Sequence, residues 1–477
     1  MRSYKVDIDV FERMPVTRAV LTQSIPAIVA QLIVLLYNWA DTFFLARLNK
    51  PELVAAATIV LPLYLLLTAI GNLPGVGGGS LFANHLGKHD YTGAQRVASV
   101  TFWMGMILAV VCCLSFPLCS DILLSLIGAN ERTLAPAQEY AFWMITIGGI
   151  PVIMNLVLAN LVRAEGMALQ ASIGISAGGI LNCLLDPLLM LPSMGNMGIV
   201  GAGIATAVSN MVSVLWLTAA IWRRRKTGVL TFAPQILRYA RHYIGSIVKV
   251  GFPSSIQYML TVVAVAALTH FVAQYNTEAT AALGIVKRLD YLPLYFTIGL
   301  SQGILPLLAY NHSSGNVTRR NHVFRCGCII SFGFAVLCFA IFEIWAYQLA
   351  MLFTQESLTV SYIIPFLRIQ VVAMPFMAVC YPSITLFQAM ERSREALICS
   401  ILRKGVVDIP LLIIMNALWP LFGCMWVQPI VDFTSMLVAY TMLKKKIMLA
   451  DHGDRHLTLF KEIHLESAGQ VFDSSPQ

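Results

Sequence analysis

Long apolar runs separated by short polar loops dominate the chain. Most runs reach or exceed the roughly 20 residues that an α-helix needs to cross the hydrocarbon of a bilayer. The longer runs predict helices that tilt or that extend beyond the bilayer. The pattern predicts twelve membrane-spanning helices, near residues 18–46, 53–83, 97–119, 137–160, 168–191, 198–222, 246–273, 279–309, 322–348, 361–388, 395–419 and 421–443.

Basic residues are distributed unevenly between the loops. The N-terminus, the even-numbered loops and the C-terminus carry 24 of the 32 Lys and Arg residues, whereas the odd-numbered loops carry three. Because loops rich in Lys and Arg remain on the cytoplasmic side of a membrane, we expect both termini to be cytoplasmic.

The composition supports a membrane protein. Of the 477 residues 58% are hydrophobic and 12% are charged, whereas soluble domains carry about 25% charged residues. The net charge of +8 comes from basic loops, so we expect no nucleic-acid partner. No Cys/His spacing of the zinc type and no phosphate-binding Gly-Lys-Ser/Thr loop is present in the sequence. The glycine run GVGGGS at 75–80 is interpreted as a site of close helix packing.

The two halves of the chain resemble each other. Pro26 matches Pro253 at an offset of 227 residues, and Asn84-His85 matches Asn311-His312 at the same offset. Each half holds six spans, so both halves enter the membrane from the same side and their repeats are parallel. We therefore predict an all-α integral membrane fold of two six-helix repeats around a central cleft. The predicted boundaries are an N-lobe over 14–222, a cytoplasmic linker over 223–245, a C-lobe over 246–446 and a cytoplasmic tail over 447–477.

The first half carries two carboxylates deep within predicted spans. Asp41 lies in span one, with Tyr37 and Asn38 one helical turn before it, and Asp186 lies in span five, one turn after Asn182. Ionisable residues at this depth are costly and mark ion or substrate pathways. The alternatives are a structural hydrogen bond for a protonated Asp, and helix packing for the Asn and Tyr side chains.

Two prolines add backbone oxygens to these spans. Pro26 and Pro187 lack an N–H and clash with the carbonyl four residues back, which predicts helix bending and frees the carbonyls of Thr22 and Cys183. Carboxylate, amide and carbonyl oxygens together suit Na⁺ or a shared proton.

The second half has a different set of charges. Span eight carries Lys287, Arg288 and Asp290, and Leu268 occupies the position aligned with Asp41. Lys287 and Asp290 are spaced to form an ion pair; the alternatives are a charge-selective wall of the cleft or a latch between the lobes. We therefore expect ion coupling in the N-lobe.

Several motifs resemble the multidrug and toxic compound extrusion (MATE) family. They are PAIVAQLIVLLYNWADTFFLARL in span one, LVRAEGMALQASIGISAGGILNCLLDPLLM around span five, GIVGAGIATAVSN opening span six and GLSQGILPLLAYN closing span eight. The resemblance covers roughly residues 14 to 446, and it is greatest to the bacterial branch named after the DNA-damage-inducible member.

The resemblance implies a secondary antiporter that exports cationic or amphipathic compounds in exchange for Na⁺ or H⁺. The family's cation site carries over onto Asp41, Asn182 and Asp186, which would be the metal ligands if the ion is Na⁺. Tyr37, Tyr140 and Thr206 stand at matching positions around that site, and Asn155 lies in span four where the family often has a polar residue. Span seven has Gln257 where another branch places an acidic residue.

These features lead to a cation-coupled antiporter working by alternating access. The expected substrate is a small molecule, either a range of drugs or one natural product. No enzyme activity and no cofactor besides the coupling ion are expected. We expect a monomer, in contact with lipid, in a bacterial cytoplasmic (inner) membrane. The alternative is a flippase for a lipid-linked saccharide, which would need more deep basic residues than Lys287, Arg288 and Arg368.

Overall fold

The computed structural model describes residues 8–48, 50–191, 195–405 and 407–444, and helices make up almost all of these residues. The predicted cytoplasmic tail, 447–477, lies outside the described residues. The first half contains α1 (Ile8–Glu12), α2 (Val16–Arg47), α3 (Pro51–Gly87), α4 (Tyr91–Ile127), α5 (Leu134–Ala141), α6 (Gly149–Ala164), α7 (Ala168–Met190) and α8 (Gly198–Arg223). The second half contains α9 (Ala240–Ala273), α10 (Thr277–Ser313), α11 (Val317–Ile344), α12 (Ala346–Phe353), α13 (Ser357–Val371), α14 (Met374–Ala389), α15 (Ser393–Arg403), α16 (Asp408–Leu418) and α17 (Phe422–Leu443).

The helices account for the twelve predicted spans. Among the described residues, nine helices are long and apolar enough to cross a membrane, and two bent pairs raise the number to eleven. The remaining predicted span, span eleven (395–419), corresponds to the pair α15 and α16. This pair is interrupted between Arg403 and Asp408. The prediction of an all-helical fold with twelve spans is therefore confirmed.

Spans four and ten each bend sharply near the middle. α5 continues as a π-helix over Phe142–Ile147 and then turns by 45° into α6, and α13 turns by 43° into α14. Pro151 and Pro375 lie just after these bends. A proline removes one helical hydrogen bond and clashes with the carbonyl four residues earlier, which explains why both helices break there.

Pro26 and Pro187, in contrast, lie inside α2 and α7, which continue as helices on both sides of them. Pro26 and Pro187 lie within predicted spans one and five, and the predicted bending at them stays a prediction. The structure gives no break at either position, so any bending is absorbed within a continuous helix.

The two lobes meet mainly through four long helices. α3 packs along α9, and α2 packs along α10. These two contacts are equivalent under the repeat, because α9 and α10 are the second-half counterparts of α2 and α3. The resulting interface surrounds a central cavity, which is described below.

One end of this interface is closed by hydrogen bonds between the lobes. Asn84 Nδ2 donates to the carbonyl of Ala389 at 3.1 Å and to Glu391 Oε1 at 3.0 Å, and Ser313 Oγ donates to Asn84 Oδ1 at 2.6 Å. The distribution of basic residues predicts that this end is cytoplasmic. Helix α1 lies at the same end, where Arg319 donates to the carbonyls of Phe11 and Met14, both at 2.6 Å.

Glycines bring the backbones of α3 and α9 into direct contact near the closed end. A Cβ on Gly77 would overlap the carbonyl oxygen of Ile247, and a Cβ on Gly251 would overlap that of Leu73. The close helix packing expected of the GVGGGS run is therefore present, and it occurs between the lobes.

The segment that joins the lobes is fixed to the N-lobe. The backbone N–H groups of Val229 and Leu230 donate to Glu165 Oε1, the second at 3.1 Å. Trp103 Nε1 donates to the Phe232 carbonyl at 3.1 Å, and the Phe232 ring stacks on Phe102 at 4.3 Å. The first part of this segment, up to Phe232, is therefore packed as part of the N-lobe.

Replacing Gly251 by Ala is expected to lower the thermal unfolding temperature. The added Cβ would push apart backbones that are already in contact, and overpacking of this kind costs about 1–3 kcal/mol. Gly245→Ala on the same helix is the matched control, because no atom lies within 4 Å of its added Cβ. Thermal unfolding of the purified protein in detergent measures both variants. Equal unfolding temperatures would contradict the close interface.

Candidate functional site

A cavity of about 280 Å³ lies between the two lobes. Among the described residues, no Asp, Glu, Lys or Arg side chain lines it. Seven amides and two phenols line the N-lobe side, and four phenols and three amides line the C-lobe side. The N-lobe amides are Gln31, Asn38, Asn72, Asn155, Asn160, Asn182 and Asn210, and the C-lobe phenols are Tyr258, Tyr291, Tyr295 and Tyr381.

The two predicted carboxylates lie immediately behind the N-lobe side of this cavity. Asp186 on α7 is completely buried, and Asp41 on α2 lies within electrostatic range of it. Tyr140, at the end of α5, is within range of both carboxyl groups. Helices α2 and α7 pack against each other, as do α7 and α8, so three helices converge on this point.

Polar side chains separate the carboxyl groups from the cavity. Tyr37, Asn182 and Thr206 all line the cavity. The Tyr37 hydroxyl lies 3.2 Å from that of Tyr64, and Asn182 Nδ2 donates to Thr206 Oγ1 at 3.5 Å. Hydroxyl and amide groups therefore line the cavity wall next to the carboxyl pair, and Tyr37 is within electrostatic range of Asp41.

Several oxygens in this group have no hydrogen-bond donor among the described residues. They are Asp41 Oδ1, Asn182 Oδ1 and both carboxyl oxygens of Asp186. A buried acceptor without a donor costs about 1–3 kcal/mol, and more if it is charged. A proton or a Na⁺ ion would satisfy these oxygens, so the chemistry of this set fits either cation.

The predicted cleft residues fall into two groups. Asn38, Asn155 and Gln257 line the cavity, and Asn155 Nδ2 donates to Asn210 Oδ1 at 3.0 Å. Tyr140, Lys287, Arg288 and Asp290 are not among the residues that line it. Arg288 is exposed on the outside of α10.

The second group includes the predicted ion pair. Lys287 Nζ lies 3.9 Å from Asp290 Oδ2 and donates to Gln370 Oε1 at 2.9 Å. Both charged side chains are largely buried within the C-lobe. Of the three interpretations of this cluster, the geometry matches an internal ion pair.

The C-lobe contains a larger set of buried charges that sequence reasoning missed. Asp290 is within electrostatic range of Lys404, Asp432 and Arg403, and Lys404 is within range of Asp408. Together with Lys287 the set has three basic and three acidic groups, so its formal charge is zero. Four of these residues fall in or beside predicted spans eleven and twelve: Arg403, Lys404, Asp408 and Asp432. A charged residue inside an apolar span is the sequence signal that could have identified them.

The tyrosines of the cavity were also missed, apart from Tyr37. Tyr291 and Tyr295 are spaced i,i+4 on α10, which places both on one helix face. This spacing was a detectable signal. Tyr64, Tyr258 and Tyr381 had no such signal, because each is a single aromatic residue in an apolar span.

Replacing Asp186 by Asn is expected to abolish a stabilising response to the coupling cation. A cation that binds only the folded protein stabilises it by about 2.7 kcal/mol at 100 times its Kd. Thermal unfolding in detergent is measured while Na⁺ replaces choline at constant ionic strength, and separately while the pH is lowered. Glu52→Gln, at an exposed acid of the same lobe, is expected to keep the wild-type response. A full response in the Asp186 variant would contradict cation binding there.

Solved structures show the same architecture. One described as the outward-facing conformation of a multidrug resistance MATE family transporter of the MOP superfamily has a TM-score of 0.86 and 24% identity, covering 95% of this chain and 100% of that one. A MATE in the straight conformation has a TM-score of 0.87 and 23% identity, covering 94% and 100%. At this level of identity the likeness establishes the fold.

Sequence relatives extend over nearly the whole chain. The multidrug export protein MepA of Staphylococcus aureus (strain MRSA252) is 30% identical over 438 residues, covering 91% of this chain and 95% of that protein. MepA of Staphylococcus saprophyticus is 29% identical over 436 residues with the same coverage. The MatE family model matches residues 26–188 and 253–414, so it recognises each half at the offset of the internal repeat. The chain is therefore a multi-pass membrane protein that belongs to the MatE family of transporters.

Proposed function

We propose that the protein is an efflux transporter that exports amphipathic or cationic small molecules in exchange for H⁺ or Na⁺. The observation that carries this proposal is the pair of buried carboxyl groups, Asp41 and Asp186, directly behind an uncharged cavity between two lobes. Names of relatives that describe multidrug export are consistent with it.

The cavity favours amphipathic substrates. Phenol rings attract organic cations through their faces, and the amides on the opposite side offer both donors and acceptors. Because no fixed charge lines the cavity, binding depends on shape and apolar area more than on one directed ion pair. This chemistry suits several compounds of similar size.

The same lining disfavours a lipid-linked saccharide as the substrate. A pyrophosphate needs basic partners, and no Lys or Arg lines the cavity within the part of the chain that the structure describes. Lys287 pairs with Asp290 and Gln370, and Arg288 is exposed on the outer face of α10. Flippase activity is therefore the weaker candidate.

The coupling ion and a cationic substrate compete for the same negative charge, and this competition couples their transport. With Asp41 and Asp186 ionised, the N-lobe side of the cavity attracts a cationic substrate. A coupling ion bound by Asp41, Asn182 and Asp186 removes that attraction, and it changes the interactions that hold α2 against α7. Exchange requires that the ion binds more tightly in the state that releases the substrate.

The orientation of the protein determines the direction of transport. In a bacterial cytoplasmic membrane with both termini inside, the end closed by Asn84 and Glu391 faces the cytoplasm. The conformation then faces outward, ready to release substrate and to accept an ion. A monomer suffices, because both lobes of the cavity come from one chain.

Replacing Asp41 by Asn is expected to abolish gradient-driven transport. The variant keeps the shape of the side chain but cannot release a proton or bind Na⁺ by charge. Coupling energies of 1–3 kcal/mol correspond to changes of about 5- to 150-fold in affinity. Gradient-driven uptake into everted vesicles is therefore expected to decrease by at least about 5-fold. Uptake is driven by a pH gradient and by a Na⁺ gradient in separate experiments, which identifies the coupling ion.

Glu52→Gln is the control for expression and for loss of an acid in the same lobe. Its uptake should equal that of the wild type at matched protein levels. Undiminished gradient-driven uptake by the Asp41 variant would contradict the proposed coupling. If neither the variant nor the wild type shows uptake under either gradient, antiport itself is contradicted.

A further inference from the structure

We propose that Arg403 is a positioning residue for substrate recognition, acting through Tyr381 on the C-lobe side of the cavity. Tyr381 lines the cavity, whereas Arg403 does not. The guanidinium carbon of Arg403 lies 4.3 Å from the centre of the Tyr381 ring, over its face. The proposal rests on the proposed function, because it assumes that the cavity binds substrate.

Arg403 is fixed on its other side by an acidic partner. Its Nε lies 2.8 Å from Asp432 Oδ1, and both side chains are only 2% exposed. Arg403 Nη1 has no hydrogen-bond acceptor among the described residues. The face of Tyr381 is therefore a principal partner for the rest of the guanidinium.

The acidic partner is itself held in place. Gln428 Nε2 donates to Asp432 Oδ2 at 2.8 Å, and Lys404 Nζ donates to Gln428 Oε1 at 2.6 Å. A continuous series of directed contacts thus runs from the interruption in span eleven, through α17, to the wall of the cavity. Each contact limits the freedom of the next, which leaves the Tyr381 ring with a defined orientation.

The orientation of this ring has a consequence for specificity. The guanidinium covers one face of Tyr381 and holds the ring in one orientation. A flat aromatic group gains from stacking on the other face, together with the neighbouring tyrosines. An amphipathic substrate would then place its aromatic part against the C-lobe and its cationic part towards Asp41 and Asp186.

Binding of two probes of equal charge tests the proposal. The purified protein in detergent is titrated with ethidium, a flat aromatic cation, by fluorescence polarisation, and with tetrabutylammonium, an aliphatic cation, by displacement. Arg403→Gln is expected to weaken ethidium binding by roughly 2- to 10-fold, the range of one aromatic contact, and to leave tetrabutylammonium binding unchanged. Tyr381→Leu should weaken ethidium binding similarly, and adding Arg403→Gln to it should have no further effect.

A purely structural role for Arg403 would give a different result. It would weaken the binding of both cations to the same degree, and its effect would persist in the Tyr381→Leu background. Either result would overturn the proposal. Arg403→Gln leaves Asp432 buried without its cation, so the double variant Arg403→Gln/Asp432→Asn is measured in parallel, on monodisperse protein from size-exclusion chromatography.

Two further comparisons complete the design. Arg96→Gln removes another stack of Arg on Tyr, 4.0 Å from the Tyr239 ring and away from the cavity, and it should leave the affinity ratio of the two probes unchanged. A change in that ratio would mean that Arg–Tyr stacking acts through general stability, and it would overturn the specific role of Arg403. If the wild type binds neither cation, the proposed substrate class is wrong, and the role of Arg403 fails with it.

Discussion

The interior of a membrane protein has little water with which to stabilise an isolated charge, and the arrangement of polar groups in this chain follows from that constraint. The C-lobe satisfies this constraint with its own side chains, because its three buried acids lie beside three buried bases. The N-lobe does not satisfy this constraint in the same way, because among the described residues Asp41 and Asp186 form no salt bridge and three of their oxygens have no donor. A mobile cation is the partner that we propose for this pair.

The contact between the lobes is limited by backbone geometry rather than by side-chain size. At Gly77 and Gly251 the helices approach so closely that a methyl group would meet a carbonyl oxygen. Contacts between bare backbones are specific in position, yet they bury few long side chains that would have to be repacked on separation. Such an interface can close firmly and still come apart, which is what the proposed alternation of the two lobes around one cavity requires.

The fold was largely predictable from the sequence, because span length, loop charge and the repeat are all local or periodic signals. The interruptions of the spans were less predictable, because a proline such as Pro26 or Pro187 lies in an unbroken helix whereas Pro151 follows a bend. Asp41 and Asp186 stood out because a charge in an apolar run is rare. Tyr381 and Asp432 did not stand out in the same way, since their roles depend on how α14, α15 and α17 meet in three dimensions.

The two lobes repeat each other in fold but not in charge, and this difference suggests how their tasks are divided. Breaking one of the buried ion pairs of the C-lobe leaves an uncompensated charge, a change that typically costs 3–5 kcal/mol. Adding a cation to the N-lobe carboxyl pair removes an uncompensated charge instead. This contrast supports the proposal of reversible ion binding in the N-lobe, whereas the self-neutral network of the C-lobe is suited to holding rings such as Tyr381 still. We infer that the N-lobe carries the coupling ion and that the C-lobe supplies the rigid aromatic surface against which a substrate is selected.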